Sequence, residues 1–263
     1  LILLSSSGMA HGQTLNEEKY SVIMWNYLEV LSSFGPRYVG TKGYGKTLKL
    51  IRQVGEDFAD AVVEHPFAIK RHNGEQVKMM NIEFIFNGTA GGRPVLVGAH
   101  YDTRPFADQE SELNLRERPI IGANDGGSGT AVLLGLAQYF KENQINQPVR
   151  LMFFDGEDFG KSGAGEMFIG SNYHANQLEK ISKDQWPLAV IVVDMVGDKD
   201  LEIFKETYSV ASGSELLDRI YRTAMRQNSY QFNEKIKHTI RDDHLPFIRI
   251  GIPSVVLIDF DYP

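Results

Sequence analysis

Acidic clusters recur along this chain at the points where apolar runs end. They read Gly98-Ala99-His100-Tyr101-Asp102, Gly122-Ala123-Asn124-Asp125-Gly126, Phe153-Phe154-Asp155-Gly156-Glu157-Asp158 and Val192-Val193-Asp194, with a fifth, Arg241-Asp242-Asp243-His244, in a loop. Three of them follow apolar runs: Val95 to Val97, Leu151 to Phe154 and Ile191 to Val193. Such runs read as buried parallel strands, because parallel strands are covered on both faces. In open α/β sheets the ligand crevice lies beyond the carboxyl ends of the strands. Several carboxylates and a His converging there repel one another unless a cation or shared protons hold them. The pattern points to a metal hydrolase or a close relative.

The remaining periodicities predict alternating helices and strands. Tyr20, Ile23, Met24, Tyr27, Leu28 and Leu31 have helical spacing over 16–33, stopped by Phe34-Gly35-Pro36-Arg37. A second amphipathic helix is expected over 44–62, with Leu48, Ile51, Val54, Phe58 and Val62 on one stripe. Strands near 63–71 and 78–87 flank a turn at Asn73-Gly74. Further strands are expected at 94–99, 149–155, 188–195 and 254–258, and helices at 130–140, 168–178 and 245–250. Ser212, with Glu215 three residues on, reads as the capping box of a helix running to about Arg226. Residues 105–119 read as a long polar loop over the site. No low-complexity linker or internal repeat interrupts the pattern, so one domain is expected.

Composition narrows the function. A net charge of -7 without a basic run argues against nucleic-acid binding. The absence of cysteine excludes disulfides, thiolate zinc sites and Cys nucleophiles. No apolar run reaches the roughly 18 to 20 residues of a membrane span. Leu1-Ile2-Leu3-Leu4, then Ser5 to Ser7 and Gly8-Met9-Ala10, read as the tail of a signal peptide over residues 1–10. A secreted or periplasmic protein, cut from a longer chain, is expected.

Each acidic group has a plain alternative. Asp125 before a Gly-rich helix start can face a metal, or can simply be the helix N-cap. Glu157-Asp158 can divide the work of ligand and general acid/base, or can be an exposed acidic turn. Asp194, within Leu188 to Val196, needs a partner or a proton, or else caps the loop to Gly197. His100 has Asp102 two positions on, an arrangement that can orient a ring for a metal. The Asp-rich turn before Leu245 can be a helix cap. His11, His65, His72, His174 and His238 have no acidic cluster around them and are assigned no role.

Taken in order, His100-Tyr101-Asp102, Asn124-Asp125-Gly126, Asp155-Gly156-Glu157-Asp158, Val193-Asp194-Met195 and Asp242-Asp243-His244-Leu245-Pro246-Phe247 resemble the zinc-dependent exopeptidases. Within them they resemble the family that joins di-zinc aminopeptidases and glutaminyl-peptide cyclotransferases. The resemblance runs from Phe34 to Pro263. It implies a three-layer α/β sandwich around a central mixed, mostly parallel sheet, with residues 11–263 as a single catalytic domain. Asp125 and Asp158 are implied as zinc ligands, Glu157 as general acid/base, and Asp194 and Asp242 as acids sharing its proton network. Ile240 and Tyr262 are implied as substrate-binding. In the di-zinc branch the positions of His100 and Asp194 hold a second metal and Asp125 bridges the two.

Asp242 stands where peptidases of the family often have Ser, and Asp-Asp-His followed by Pro-Phe is the cyclase pattern. The Trp that cyclases carry after the Glu pair is absent, leaving Phe159 or Phe168 to form that wall. Family members carry a last zinc ligand, a His, a few residues after a Pro such as Pro263, so that ligand is expected beyond the end of this chain. The implied function is cyclisation of N-terminal Gln on a peptide or protein to pyroglutamate, with one zinc and release of ammonia. The alternatives are a di-zinc aminopeptidase and a metal-free inactive binding homologue.

Overall fold

A computed structural model describes residues 10–160 and 165–261. The expected signal tail falls outside the described residues, apart from Ala10, and so does Tyr262. In chain order the elements are α1 (Ala10–Ser33), α2 (Lys42–Phe58), β1 (Ala61–Lys70), β2 (Gln76–Phe86), β3 (Val95–His100), α3 (Gly127–Glu142), β4 (Val149–Phe154), α4 (Ile169–Leu178), β5 (Ala189–Asp194), β6 (Ile203–Lys205), α5 (Thr207–Arg226), β7 (Phe232–Ile236), α6 (Leu245–Arg249) and β8 (Ser254–Ile258).

Six strands form one sheet in the order β1-β2-β4-β3-β5-β8. The four strands β4, β3, β5 and β8 are parallel, and the β1–β2 hairpin adds antiparallel to β4. The mixed, mostly parallel sheet is the one expected. β6 and β7 pair separately and were not foreseen; at three and five residues they carry too little pattern to stand out from loop.

Residue parity explains the layers. Successive side chains of a strand point to opposite faces. Val97, Ala99, Leu151, Phe153 and Val193 pack against α2 and α3. Ile191 and Val255 share that face and meet Leu217 and Ile220 of α5. Leu96, Met152, Phe154, Val192 and Val256 pack on the other face against Ala175 of α4 and Phe247 of α6. Both sides are covered, which is why β3, β4 and β5 read as unbroken apolar runs. The buried Phe84 and Phe153 rings lie 4.8 Å apart, and burial of each contributes roughly 1.5–3 kcal/mol.

Several helix boundaries differ from the sequence reading: α1 begins at Ala10 rather than 16, and α3 spans Gly127–Glu142 rather than 130–140. α2 stops at Phe58, and Val62 belongs to β1, where it pairs with Phe84. The helical stripe continued by coincidence, since Val62 packs against the same core from a strand. α5 begins five residues before Ser212, capped by Glu206, whose carboxylate accepts the N–H groups of Tyr208 and Ser209. Ser212 instead accepts the N–H of Ser254, and Gly213 beside it kinks the helix where it meets β8.

β3 lies between the two strands that follow it, β4 on one side and β5 on the other, with α3 and α4 on opposite faces of the sheet. That reversal opens a crevice beyond the carboxyl ends of these strands. His100 ends β3, Asp155 follows β4, and Asp194 ends β5.

Candidate active site

His100 is the centre of the crevice. Its side chain is 1% exposed, with Nε2 3.0 Å from Asp125 and 3.3 Å from Asp194. Nδ1 lies 3.4 Å from Asp102 and 3.9 Å from Glu157. Asp125 does not cap α3; Gly126 holds that position, and Asp125 turns to the imidazole instead. Gly126 has φ 73°, and a Cβ there would meet the Asp102 carbonyl at 2.3 Å, so this turn needs glycine.

Asp102 organises the neighbouring turn. Its carboxylate accepts the backbone N–H groups of Glu157 and Asp158 at 3.1 and 3.2 Å. Gly156, at φ 70°, lets the chain leave β4 sharply enough for that pair to face back across β3. Asp155 points the other way and accepts the Tyr44 hydroxyl and the Met80 N–H. Arg37, fully buried, donates to the carbonyls of Tyr101, Ile121 and Gly122 and so holds the loops bearing Asp102 and Asp125. Its own pKa is pushed down to about 10 by burial, against the pull of Asp102 and Asp125.

Asp194 accepts the N–H of Met195, a non-glycine residue at φ 46°. Left-handed backbone of this kind persists only where the surroundings over-determine it. The loop 240–244 closes the far side. Asp242 accepts the N–H of Asp243, and Asp243 accepts the Ser171 hydroxyl. Glu206 holds this loop, accepting the Ile240 N–H at 3.1 Å with His244 3.4 Å away. Ile240 is buried in the α4–α6 core.

Too many acids share too little water. Burial pushes the Glu157 carboxyl well above the usual range, His100 opposes that, and Asp158, Asp243 and Asp242 add to it. Burial and then Asp125 raise Asp158 to about 8, with Arg104 and His100 pulling it down. Burial and Asp194 raise Asp242 to about 7. Burial would lower the His100 pKa, but hydrogen bonds to the carboxylates of Asp102, Asp125 and Asp194 outweigh it and the net shift is upward. The crevice therefore stores protons and attracts cations.

Glu157, Asp158, Asp125, Asp194, Asp242 and His100 thus converge from five separate segments. Asp125, Glu157 and Asp158 each offer an oxygen within 4.8 Å of the others, and His100, Asp125 and Asp194 form a second such group. Glu157 belongs to the first group as well as facing the proton-sharing acids. Both Asp158 oxygens are buried without a hydrogen bond. Carboxylates with one imidazole and no thiolate fit a divalent ion such as zinc. Phe159, a candidate wall, packs with Val77 and Met79 under the Arg71 guanidinium. Phe168, the other candidate, is buried at the start of α4.

Four residues around the site escaped the sequence reading. Arg37 was read only as part of a helix stop, Asp102 only as a partner for His100. Arg104 and Glu206 carried no local signal, because their partners Asp158 and His244 are distant in sequence.

The motif order finds independent support in known proteins. Peptidase family M28 matches residues 81–263. A glutaminyl-peptide cyclotransferase of Drosophila melanogaster is 25% identical over 251 residues, 87% of this chain and 68% of that protein. Other cyclotransferase relatives are covered over only 49–54% of their length. Among solved structures, a glutaminyl cyclase of Porphyromonas gingivalis superposes with TM-score 0.83 at 30% identity, covering 90% of this chain and 83% of that one. A leucine aminopeptidase precursor of Bacteroides thetaiotaomicron superposes with TM-score 0.83 at 26% identity, covering 92% and 85%.

Proposed function

The chain belongs to peptidase family M28, and from that premise we propose that it is a zinc-dependent glutaminyl-peptide cyclotransferase. Asp125 and Asp158 would hold the ion. When bound, the ion would supply Lewis acidity at the γ-carbonyl of an N-terminal Gln. Glu157 takes a proton from the α-amine as its nitrogen bonds to the side-chain carbonyl carbon. The same proton then passes to the departing amide nitrogen, which leaves as ammonia. Asp194 and Asp242 keep Glu157 supplied with a shared proton, and Ile240 and Tyr262 contribute to the substrate wall.

The observation that carries this reading is the buried Asp242 carboxyl on the loop that closes the crevice, accepting the Asp243 N–H, where burial and Asp194 push its pKa up. A carboxyl that holds a proton near neutral pH suits a reaction that moves one proton between two nitrogens and needs no attacking water.

The second reading is a di-zinc aminopeptidase. It is favoured by the His100, Asp125 and Asp194 group, whose ligand atoms lie within 4.8 Å of one another. Full-length zinc-loaded protein is to be given Gln- and Leu-initiated fluorogenic substrates, with and without a pyroglutamyl-removing coupling enzyme. Signal from Gln substrates only when coupled, with one zinc per chain, is the expected result. Direct Leu release with two zincs per chain would replace it by the aminopeptidase. A secreted or periplasmic location belongs to the same proposal; among the described residues no helix is long and apolar enough to cross a membrane. Recovery of the processed protein only from the cytosolic fraction would overturn the location.

A further inference from the structure

We infer that Arg104 is a positioning residue that ties the Asp158 carboxylate to the 105–119 loop, so that gripping the metal and ordering this loop are one event. The inference rests on the zinc reading above, because it takes Asp158 as a ligand. Arg104 leaves β3 two residues after Asp102. Its Nη1 lies 3.0 Å from Asp158 Oδ1 and its Nε 3.0 Å from Asp108 Oδ1, inside the loop. The three side chains are only 15%, 3% and 16% exposed. The Arg104 carbonyl accepts the Ile120 N–H, and the Ala107 N–H donates to the Arg118 carbonyl, closing the base of the loop.

An exposed ion pair of this kind contributes little and organises little. This one differs in what it holds. Asp158 is buried, its oxygens make no hydrogen bond, and among the described residues Arg104 is the one cation within ion-pair distance of it. A ligating carboxylate keeps its orientation through such an outer partner. The planar guanidinium stands between two carboxylates at once, in charge contacts at 3.0 Å rather than aligned hydrogen bonds, whereas an ammonium is a point charge on a flexible stem. One side of the guanidinium therefore faces Asp158 while the other faces Asp108 and the loop.

The test uses full-length protein, the wild type and the variants Arg104→Ala and Arg104→Lys. Zinc affinity is read by competition with a chelating dye, and amide exchange of residues 105–119 is read with and without zinc. In the wild type, zinc is expected to slow exchange in the loop. Arg104→Ala should weaken zinc about 10- to 100-fold and erase that slowing. Arg104→Lys keeps the charge without the planar guanidinium and should also lose the slowing; it carries the test should the alanine variant fail to fold. Zinc affinity unchanged or tighter in Arg104→Ala, or loop exchange indifferent to zinc in the wild type, would overturn the inference. A wild type whose zinc binding is insensitive to Asp158→Asn would instead sink the parent metal reading, so the two failures are distinguishable.

Discussion

Two histidines, His100 and His174, are buried on this sheet with acids near them, and their chemistries are opposite. His100 faces Asp102, Asp125, Asp194 and Glu157 at the carboxyl end of β3. His174, on α4, sees a single carboxylate. Glu83 there is already paired with His65 at 2.9 Å and with Arg150 at 3.4 Å, and the His65 ring is 5.5 Å from that of His174. Burial depresses both imidazoles. At His100 the surrounding carboxylates reverse the effect, while at His174 the single acid Glu83, opposed by His65, does not, and its pKa falls to about 4. The same residue becomes a proton holder in one place and a neutral packing group in the other. The balance of neighbouring charge decides, so a buried His is no functional signal until its neighbours are counted.

The sharpest way to break this contrast is at the acid-rich end. Glu157→Gln keeps the shape and cannot carry a proton. Turnover should drop roughly 100- to 10,000-fold with zinc affinity nearly intact, measured as kcat alongside a dye titration. Retention of more than half the activity would remove Glu157 from the proton path. At the other end, His174→Phe should leave turnover within about twofold, because the residue packs against Phe247 and faces Glu83 rather than the crevice acids.

A smaller effect separates the two sites by pH. The His174 pKa is about 4 folded against about 6.5 unfolded, so the unfolded chain binds a proton that the folded chain refuses. Stability is then lost as pH falls from about 6.5 toward 4. By linkage the loss attributable to this group between pH 7.5 and 5 is about 2 kcal/mol. Urea unfolding of the wild type and His174→Phe at both pH values isolates it. Equal pH dependence in the two proteins would show that His174 is not held neutral.

The smallest expected effect has opposite signs at the two sites. In metal-free protein, Asp194→Asn removes one carboxylate from an excess and should raise stability by about 1 kcal/mol, read as a higher melting temperature. Glu83→Gln removes the one acid among cationic neighbours and should lower stability by a similar amount. Shifts of the same sign in both variants would undo the comparison.

Much of the fold was legible. The apolar runs of β3, β4, β5 and β8 were read within a residue or so, since full burial on both faces leaves little else for such runs to be. The acids that end these strands were legible for the same reason: charge inside an apolar run has to be explained. Errors arose where a local pattern had two solutions. Val62 continued a helical stripe from inside a strand, and Ser212-Gly213 imitated a helix start at a kink dictated by close packing on β8.

The sequence by itself determined that acids would gather beyond the strand ends, because alternation, burial and turn chemistry act over a few residues. Only the tertiary structure decided which of those acids meet. Placing β3 between β4 and β5 sets His100 against Asp194, and Asp102 under the amides of Glu157 and Asp158. Arg104 gains Asp158, and Glu206 gains Ile240 and His244, across distances in sequence that no local period spans. Periodicity encodes which face of an element is buried; strand order encodes its neighbours, and the proton affinity of a buried group is set by the neighbours.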